Sequence, residues 1–152
     1  MTGATATAVL DTTPEEVSLV LADPRTYDGV VVGSRRIRWF DARWPDVGTR
    51  FHHNVGFGPM IIRDHSEVVE QDLPHRLRLE VRIRPLGRAE VDFRLTPEQG
   101  GTRVDITETP TSGLLSATWS PPVAAVTRWR NQRVLHRLEK LARERAHIAA
   151  LG

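Results

Sequence analysis

The 152-residue sequence contains no cysteine, which excludes a disulfide framework, a thiolate nucleophile and cysteine-ligated zinc. It also contains no apolar run that approaches the roughly 20 residues needed to span a bilayer. The first sixteen residues lack the basic and hydrophobic regions of a signal peptide. We therefore expect a cytoplasmic protein with no stable membrane insertion.

Lysine is nearly missing as well, since Lys140 is the only one. The pI of about 9.9 reflects arginine, because 21 basic and 19 acidic residues leave a formal net charge of only +2. The arginines near the C-terminus are interrupted by Glu139 and Glu144, and Trp129 is the only aromatic residue among them. This mixture is typical of a solvated helix face, so we expect no nucleic-acid partner.

The order of the predicted elements is strand, two short helices, six strands and one long helix. Thr5–Asp11 alternates as a strand, and Thr12 or Thr13 caps a helix that ends at Pro24. A second short helix is predicted over 24–33, strands over 35–109, and a helix over 123–149. At this length the chain is expected to form one domain, residues 1–152.

Two predicted strands and the long helix each have one apolar face. On the strands this face contains Leu77, Leu79, Val81, Ile83, Ala89, Val91, Phe93 and Leu95. On the helix it contains Thr127, Asn131, Val134, Leu138 and Leu141, flanked by Val126, Leu135 and Ala142. A lone long helix must therefore cover the apolar face of an antiparallel sheet, in the α+β class.

Five segments of the sequence carry a resemblance to a known family. They are TTPEEVSLVLADPRTYDGVVVG (12–33), WPDVGTRFHH (44–53), EVVEQDLPHRLRLEV (67–81), LTPEQGGTRVDITE (95–108) and RNQRVLHRLEKLA (130–142). Their order and spacing resemble the START-like superfamily, in particular the polyketide cyclase/dehydrase (SRPBCC) proteins. The resemblance implies the Bet v 1-like helix-grip fold, a seven-stranded curved antiparallel sheet wrapped around a long C-terminal helix. It also implies a cavity for an apolar ligand between sheet and helix, but no fixed catalytic set.

Three histidines, at positions 52, 53 and 65, raise the question of a metal site. His52 and His53 are neighbours in a predicted strand, so their side chains are expected to point to opposite faces. His65 has the parity of outward residues in the next strand. No pair of histidines four residues apart on a helix is present. We therefore expect neither a metal nor a cofactor.

Polar residues at inward positions are the candidate functional groups. His53 shares parity with Phe51, Asp64 shares it with Val68, and Glu108 follows Ile106 inward. They are interpreted either as partnered pocket groups or as acid and base groups. Asp64 and Glu108 also lie near predicted strand ends, where side chains often reach water.

The leading hypothesis is binding of an apolar or amphipathic small molecule, such as a lipid, polyketide, isoprenoid or aromatic metabolite. The predicted ligand-binding residues are Tyr27, Trp39, His53, Phe57, Met60, Asp64, Val81, Phe93, Glu108 and Asn131. The alternative is a cyclase or dehydratase that uses His53 with Asp64 or Glu108 as acid/base groups. A partner-binding module with a vestigial cavity is a third possibility.

Two loops are expected near the cavity mouth. GFGP (56–59) is interpreted as a mobile hairpin with Phe57 and Met60 as a gate, or as a plain tight turn. The segment with Leu114, Leu115 and Trp119 either borders the same entrance or forms a homodimer contact.

Overall fold

An antiparallel sheet and a long C-terminal helix form the structure, a computed structural model that describes residues 3–23, 34–57, 60–83 and 86–151. At 34–39, 53–57, 60–64 and 83 the description covers the backbone alone. The strands are β1 (Ala4–Leu10), β2 (Ser34–Phe40), β3 (Arg50–Phe57), β4 (Met60–Asp72), β5 (Arg76–Ile83), β6 (Gly87–Glu98) and β7 (Gly101–Ser112). The helices are α1 (Pro14–Leu21), α2 (Gly113–Ala117) and α3 (Pro121–Leu151).

The sheet is seven-stranded in the order β1-β7-β6-β5-β4-β3-β2, with antiparallel pairing between all neighbours. Strands β1 and β2 are its two edges, so the chain crosses from one edge to the other between them. This curved sheet with a long terminal helix is the predicted helix-grip architecture. The second predicted short helix, over 24–33, lies outside the described residues, as does Tyr27.

Helix α1 begins as its sequence predicts. The Thr13 hydroxyl accepts the Glu16 N–H, and the Glu16 carboxylate accepts the Thr13 N–H, which forms a capping box ahead of Pro14. Val17, Val20 and Leu21 are buried on the inner side of the helix. They fix α1 against α3 in the hydrophobic core.

Helix α3 runs alongside β1 and contacts α1 and β7. Gln132 Nε2 donates to the Thr7 carbonyl, and farther along the helix the Glu139 carboxylate accepts the Asp11 N–H. Arg145 then reaches Asp23, just beyond α1, at 3.2 Å. Because these partners advance together along both elements, α3 lies parallel to β1 and is fixed along one side of the sheet. No helix among the described residues combines the length and apolar character required to cross a bilayer.

The buried face of α3 follows the predicted stripe with one correction. Its buried residues are Thr127, Asn131, Val134, Leu135, Leu138 and Ala142. Leu141 is half-buried, whereas Val126 is 65% exposed. The prediction for Val126 was wrong because one residue back from Thr127 is a rotation of about 100° away from the sheet.

Strand β7 and the residues after it are more regular than predicted. The strand continues to Ser112, three residues beyond the predicted range, and α2 follows at once. Gly87 and Gly113 meet at this corner with φ angles of 123° and 75°. A Cβ on Gly87 would collide with the Ser112 carbonyl, so only glycine allows the start of β6 to approach the end of β7.

Candidate functional site

Two valines on the inner face of the sheet are only half-buried, although the residues around them are buried. On β5, Leu77 and Leu79 are buried and Val81, on the same face, is half-buried. On β6, Val91 is half-buried between buried Ala89 and Phe93. The register pairs Leu79 with Val91 and Val81 with Ala89, which makes Val81 and Val91 diagonal neighbours. Val91 also packs against the hydrophobic core with its remaining surface. Solvent therefore reaches the inner face at Val81 and Val91, and this solvent-accessible part of the face is called the recess below.

An ion pair between Glu108 and Arg130 borders this recess. Glu108 lies on the buried face of β7, directly opposite Val91 on β6 and Ala4 on β1. It is 9% exposed, and Arg130 of α3 donates to its carboxylate at 2.5 Å. Burial raises the pKa of Glu108, while the charge and hydrogen bond of Arg130 act in the opposite direction. The pair joins the helix to the sheet at the level of Val91.

Sequence reasoning missed Arg130, which it placed on the solvated outer face of the helix. Arg130 lies three residues after Thr127 and four before Val134, both of which are buried. This spacing places it at the edge of the buried stripe, close enough for a long side chain to reach the sheet. The position of Arg130 on the helix was a signal that the sequence contained. Its partner, Glu108, could be identified only from the position of α3 relative to β7.

Asn131 is the most buried polar residue of α3, with 5% of its surface exposed. Its Nδ2 atom is inaccessible to solvent and has no hydrogen-bond partner. One turn earlier, the buried Thr127 hydroxyl donates to the Val123 carbonyl. The predicted inward positions of Glu108 and Asn131 are thus observed, while their role in ligand binding stays a prediction.

The remaining predicted site residues that the structure describes lie in β2, β3 and β4 or in the core. The register pairs His53 with Asp64, Trp39 with His52 and Phe57 with Met60, at positions where the backbone is described. Residues 58–59, the tip of the predicted gate, lie outside the described residues. Phe93 is buried within the hydrophobic core.

The sheet brings His53 and Asp64 together and separates both from Glu108. Strands β4, β5 and β6 lie between β3, which carries His53, and β7, which carries Glu108. At a strand spacing of about 4.8 Å, four steps correspond to roughly 19 Å along the sheet. Asp64, rather than Glu108, is therefore the partner that the topology offers His53.

His52 and His65 form a contact that the sequence did not indicate. The two residues are paired in register, and their ring centroids lie 5.5 Å apart. They lie on the face that carries the Arg50–Glu67 ion pair, opposite to buried Phe51. Within the described ranges, no three His, Cys, Asp or Glu side chains are grouped as metal ligands would be.

The outer face of α3 has a shallow surface groove of about 250 Å³, lined by Trp129, Gln132, Arg133, His136 and Arg137. The Arg133 guanidinium lies 5.2 Å from the centre of the exposed Trp129 ring. These residues follow helical spacing on a single element, and no second element contributes to the lining. The groove is therefore a feature of the helix surface, separate from the inner-face recess.

Solved structures with the same fold are similar to the chain over most of its length. Protein CV1439 from Chromobacterium violaceum is 20% identical with a TM-score of 0.71, and the match covers 93% of this chain and 97% of that one. The di-domain ARO/CYC StfQ from the steffimycin biosynthetic pathway is 14% identical with a TM-score of 0.74. That match covers 96% of this chain but 52% of StfQ. Ara h 8.0201 is 11% identical with a TM-score of 0.74, covering 93% and 97%.

The comparison with curated proteins finds no match. A family model described as polyketide cyclase / dehydrase and lipid transport matches residues 1–143. The match covers the cap of α1, the whole sheet and most of α3, including Glu108, Arg130 and Asn131. The chain therefore belongs to the polyketide cyclase / dehydrase and lipid transport family, within the START-like (SRPBCC) superfamily that its sequence motifs resemble.

Proposed function

We propose that the protein binds an apolar or amphipathic small molecule between the inner face of the sheet and α3. The observation that carries this proposal is the partial exposure of Val81 and Val91 beside the buried apolar residues Leu79, Ala89 and Phe93. A face that served only as core would be close-packed at these positions too. Ligand pockets are mostly apolar and contain a few placed polar groups, which here are Glu108, Arg130 and Asn131.

Filling the recess tests this proposal. The neutral fluorescent probe N-phenyl-1-naphthylamine should bind the wild-type protein saturably, since apolar surface drives its uptake. Val91→Phe should weaken binding about tenfold, equivalent to about 1.4 kcal/mol, because the larger side chain occupies the ligand volume.

Thr96→Phe is the matched control, because it adds the same ring to an exposed position of the same strand. It should leave probe affinity unchanged. Equal affinities for wild type and Val91→Phe, with both proteins folded, would show that the probe binds elsewhere and would contradict the proposal.

A second candidate function is proton transfer at carbon next to a carbonyl, as a cyclase or dehydratase requires. The pairing of His53 with Asp64 in adjacent strands favours it, because a carboxylate can orient an imidazole that acts as general base. The base would remove a C–H proton to leave an enolate, and the same group would return a proton to carbon.

Hydrogen exchange tests this step without a known substrate. The methyl protons of 2-acetylnaphthalene in D₂O should exchange faster with the wild-type protein than with His53→Gln or Asp64→Asn. Circular dichroism should show that both variants are folded like the wild-type protein. If the wild-type protein exchanges the methyl protons no faster than buffer alone, proton transfer is contradicted and binding is the function of the site.

A further inference from the structure

The buried amide of Asn131 is a hydrogen-bond donor that the protein itself does not satisfy. Its Nδ2 atom is shielded from solvent and unpartnered, on the face of α3 that is turned toward the sheet. Leaving such a group unpaired is unfavourable, and leucine would avoid this cost at a position that served packing alone. The amide is therefore suited to an acceptor oxygen supplied by a bound molecule.

Thr127, one turn before Asn131, is restricted to accepting. Its hydroxyl proton is donated to the Val123 carbonyl at 2.9 Å, which leaves the oxygen lone pairs available. The buried face of α3 thus presents an amide donor at Asn131 and an acceptor at Thr127. This combination matches a carbonyl oxygen or a hydroxyl group on the ligand.

The Glu108–Arg130 pair determines which charge this region accepts. The guanidinium is already neutralised by the carboxylate at 2.5 Å, so Arg130 has no free positive charge to offer a second anion. A ligand carboxylate near Glu108 would be repelled, and it would also lose its hydration on entry. An uncharged oxygen would avoid both costs.

We infer that the ligand carries an uncharged oxygen function, a carbonyl or hydroxyl group bound by Asn131, and that the Glu108–Arg130 pair disfavours carboxylate head groups. This inference rests on the proposed function and specifies its ligand class. It favours neutral ketones, alcohols and phenols with an apolar skeleton over free fatty acids.

Three probes of similar shape test the inference: 2-ethylnaphthalene, 2-acetylnaphthalene and 2-naphthoate. The dissociation constant of each is measured for wild type and Asn131→Leu, so that differences in probe hydrophobicity cancel in the ratio. Asn131→Leu should weaken the binding of 2-acetylnaphthalene about fivefold, the loss expected for one net hydrogen bond. The variant should bind 2-ethylnaphthalene as tightly as the wild-type protein does, or more tightly.

Two further variants keep the result interpretable. Lys140→Leu introduces the same side chain at an exposed position of α3 and should alter neither ratio. Asn131→Met, with a flexible apolar side chain of similar size, replaces Asn131→Leu if the latter does not fold. Equal losses for the ketone and the hydrocarbon, or no loss for either, would overturn the role of Asn131.

Glu108→Gln tests the charge argument separately. Releasing Arg130 should strengthen binding of 2-naphthoate at least fivefold relative to binding of 2-acetylnaphthalene, as expected for a charged hydrogen bond. A wild-type protein that prefers 2-naphthoate to 2-acetylnaphthalene would overturn the inference while leaving the proposed function intact. Failure of all three probes to bind wild type would instead contradict the proposed function itself.

Discussion

Two carboxylates on opposite faces of the sheet show how the surroundings of a residue set its acidity. Glu108 is on the inner face, where burial raises its pKa more than the single Arg130 lowers it. Asp92 is on the outer face, where burial also raises the pKa, but hydrogen bonds and charges from Arg76 and Arg94 reverse the shift. Arg76 binds both Asp92 oxygens at 2.9 Å. The net pKa of Asp92 is therefore lowered.

The raised pKa of Glu108 predicts how stability depends on pH. The folded state binds the Glu108 proton more tightly than the unfolded state, whose pKa is near 4.5. This contribution is complete below that value and is lost as pH rises through the folded pKa. The free energy of unfolding of wild type relative to Glu108→Gln should therefore increase as pH falls from 7 toward 4.5. Urea denaturation across this range measures it, and a constant or decreasing difference would contradict the raised pKa.

Asp92 should show the opposite dependence. Asp92→Asn should reduce the free energy of unfolding by about 1–2 kcal/mol at pH 7, a value kept small because Arg76 is partly exposed and screened. The stabilisation is present above the unfolded pKa near 3.8 and is lost as pH falls through the lower folded pKa. Denaturation curves of the two proteins should thus converge in acid. A difference that grows in acid would show that the Arg76 contact does not lower the pKa.

At the scale of elements, local patterning was sufficient to predict β5, β6, α1 and most of α3. Each has one apolar face whose period identifies its type, and α1 also has a capping box. The resemblance supplied the topology, which periodicity alone could not determine. Features that depend on contacts between distant elements were not predictable, namely the Glu108–Arg130 ion pair and the half-burial of Val81. The ion pair depends on where α3 lies relative to β7, and the exposure of Val81 cannot be deduced from its pattern position, which is the same as that of buried Leu79.

The contrast between inner-face positions can be measured by truncation. Phe93→Ala should cost about 3–5 kcal/mol, because the ring is buried in the core and its removal leaves a cavity. Val81→Ala should cost clearly less, about 1 kcal/mol, because a half-buried valine loses less apolar contact. Thermal melts and urea curves of both variants provide the comparison. Equal losses would mean that Val81 is as closely packed as Phe93.

At the scale of the whole molecule, α3 and the sheet share one hydrophobic cluster. Val134, Leu135, Leu138 and Ala142 of α3 pack with core residues from α1 and the strands. Trp44, also in this cluster, donates its indole N–H to the Leu21 carbonyl and stacks edge-on against Phe51. We propose that the chain therefore unfolds as one cooperative unit rather than losing its helix first.

Leu138→Ala tests this cooperativity because Leu138 is fully buried in the middle of α3. The substitution should cost about 2–5 kcal/mol. If helix and sheet unfold together, it should move the urea midpoint of Trp44 fluorescence as far as that of helical circular dichroism. Replacing Trp39, Trp119 and Trp129 by phenylalanine isolates the Trp44 signal. The protein with these three replacements and the native Leu138 is the control. A helical transition that shifts to lower urea while the Trp44 transition stays in place would show that α3 separates from a sheet that remains folded.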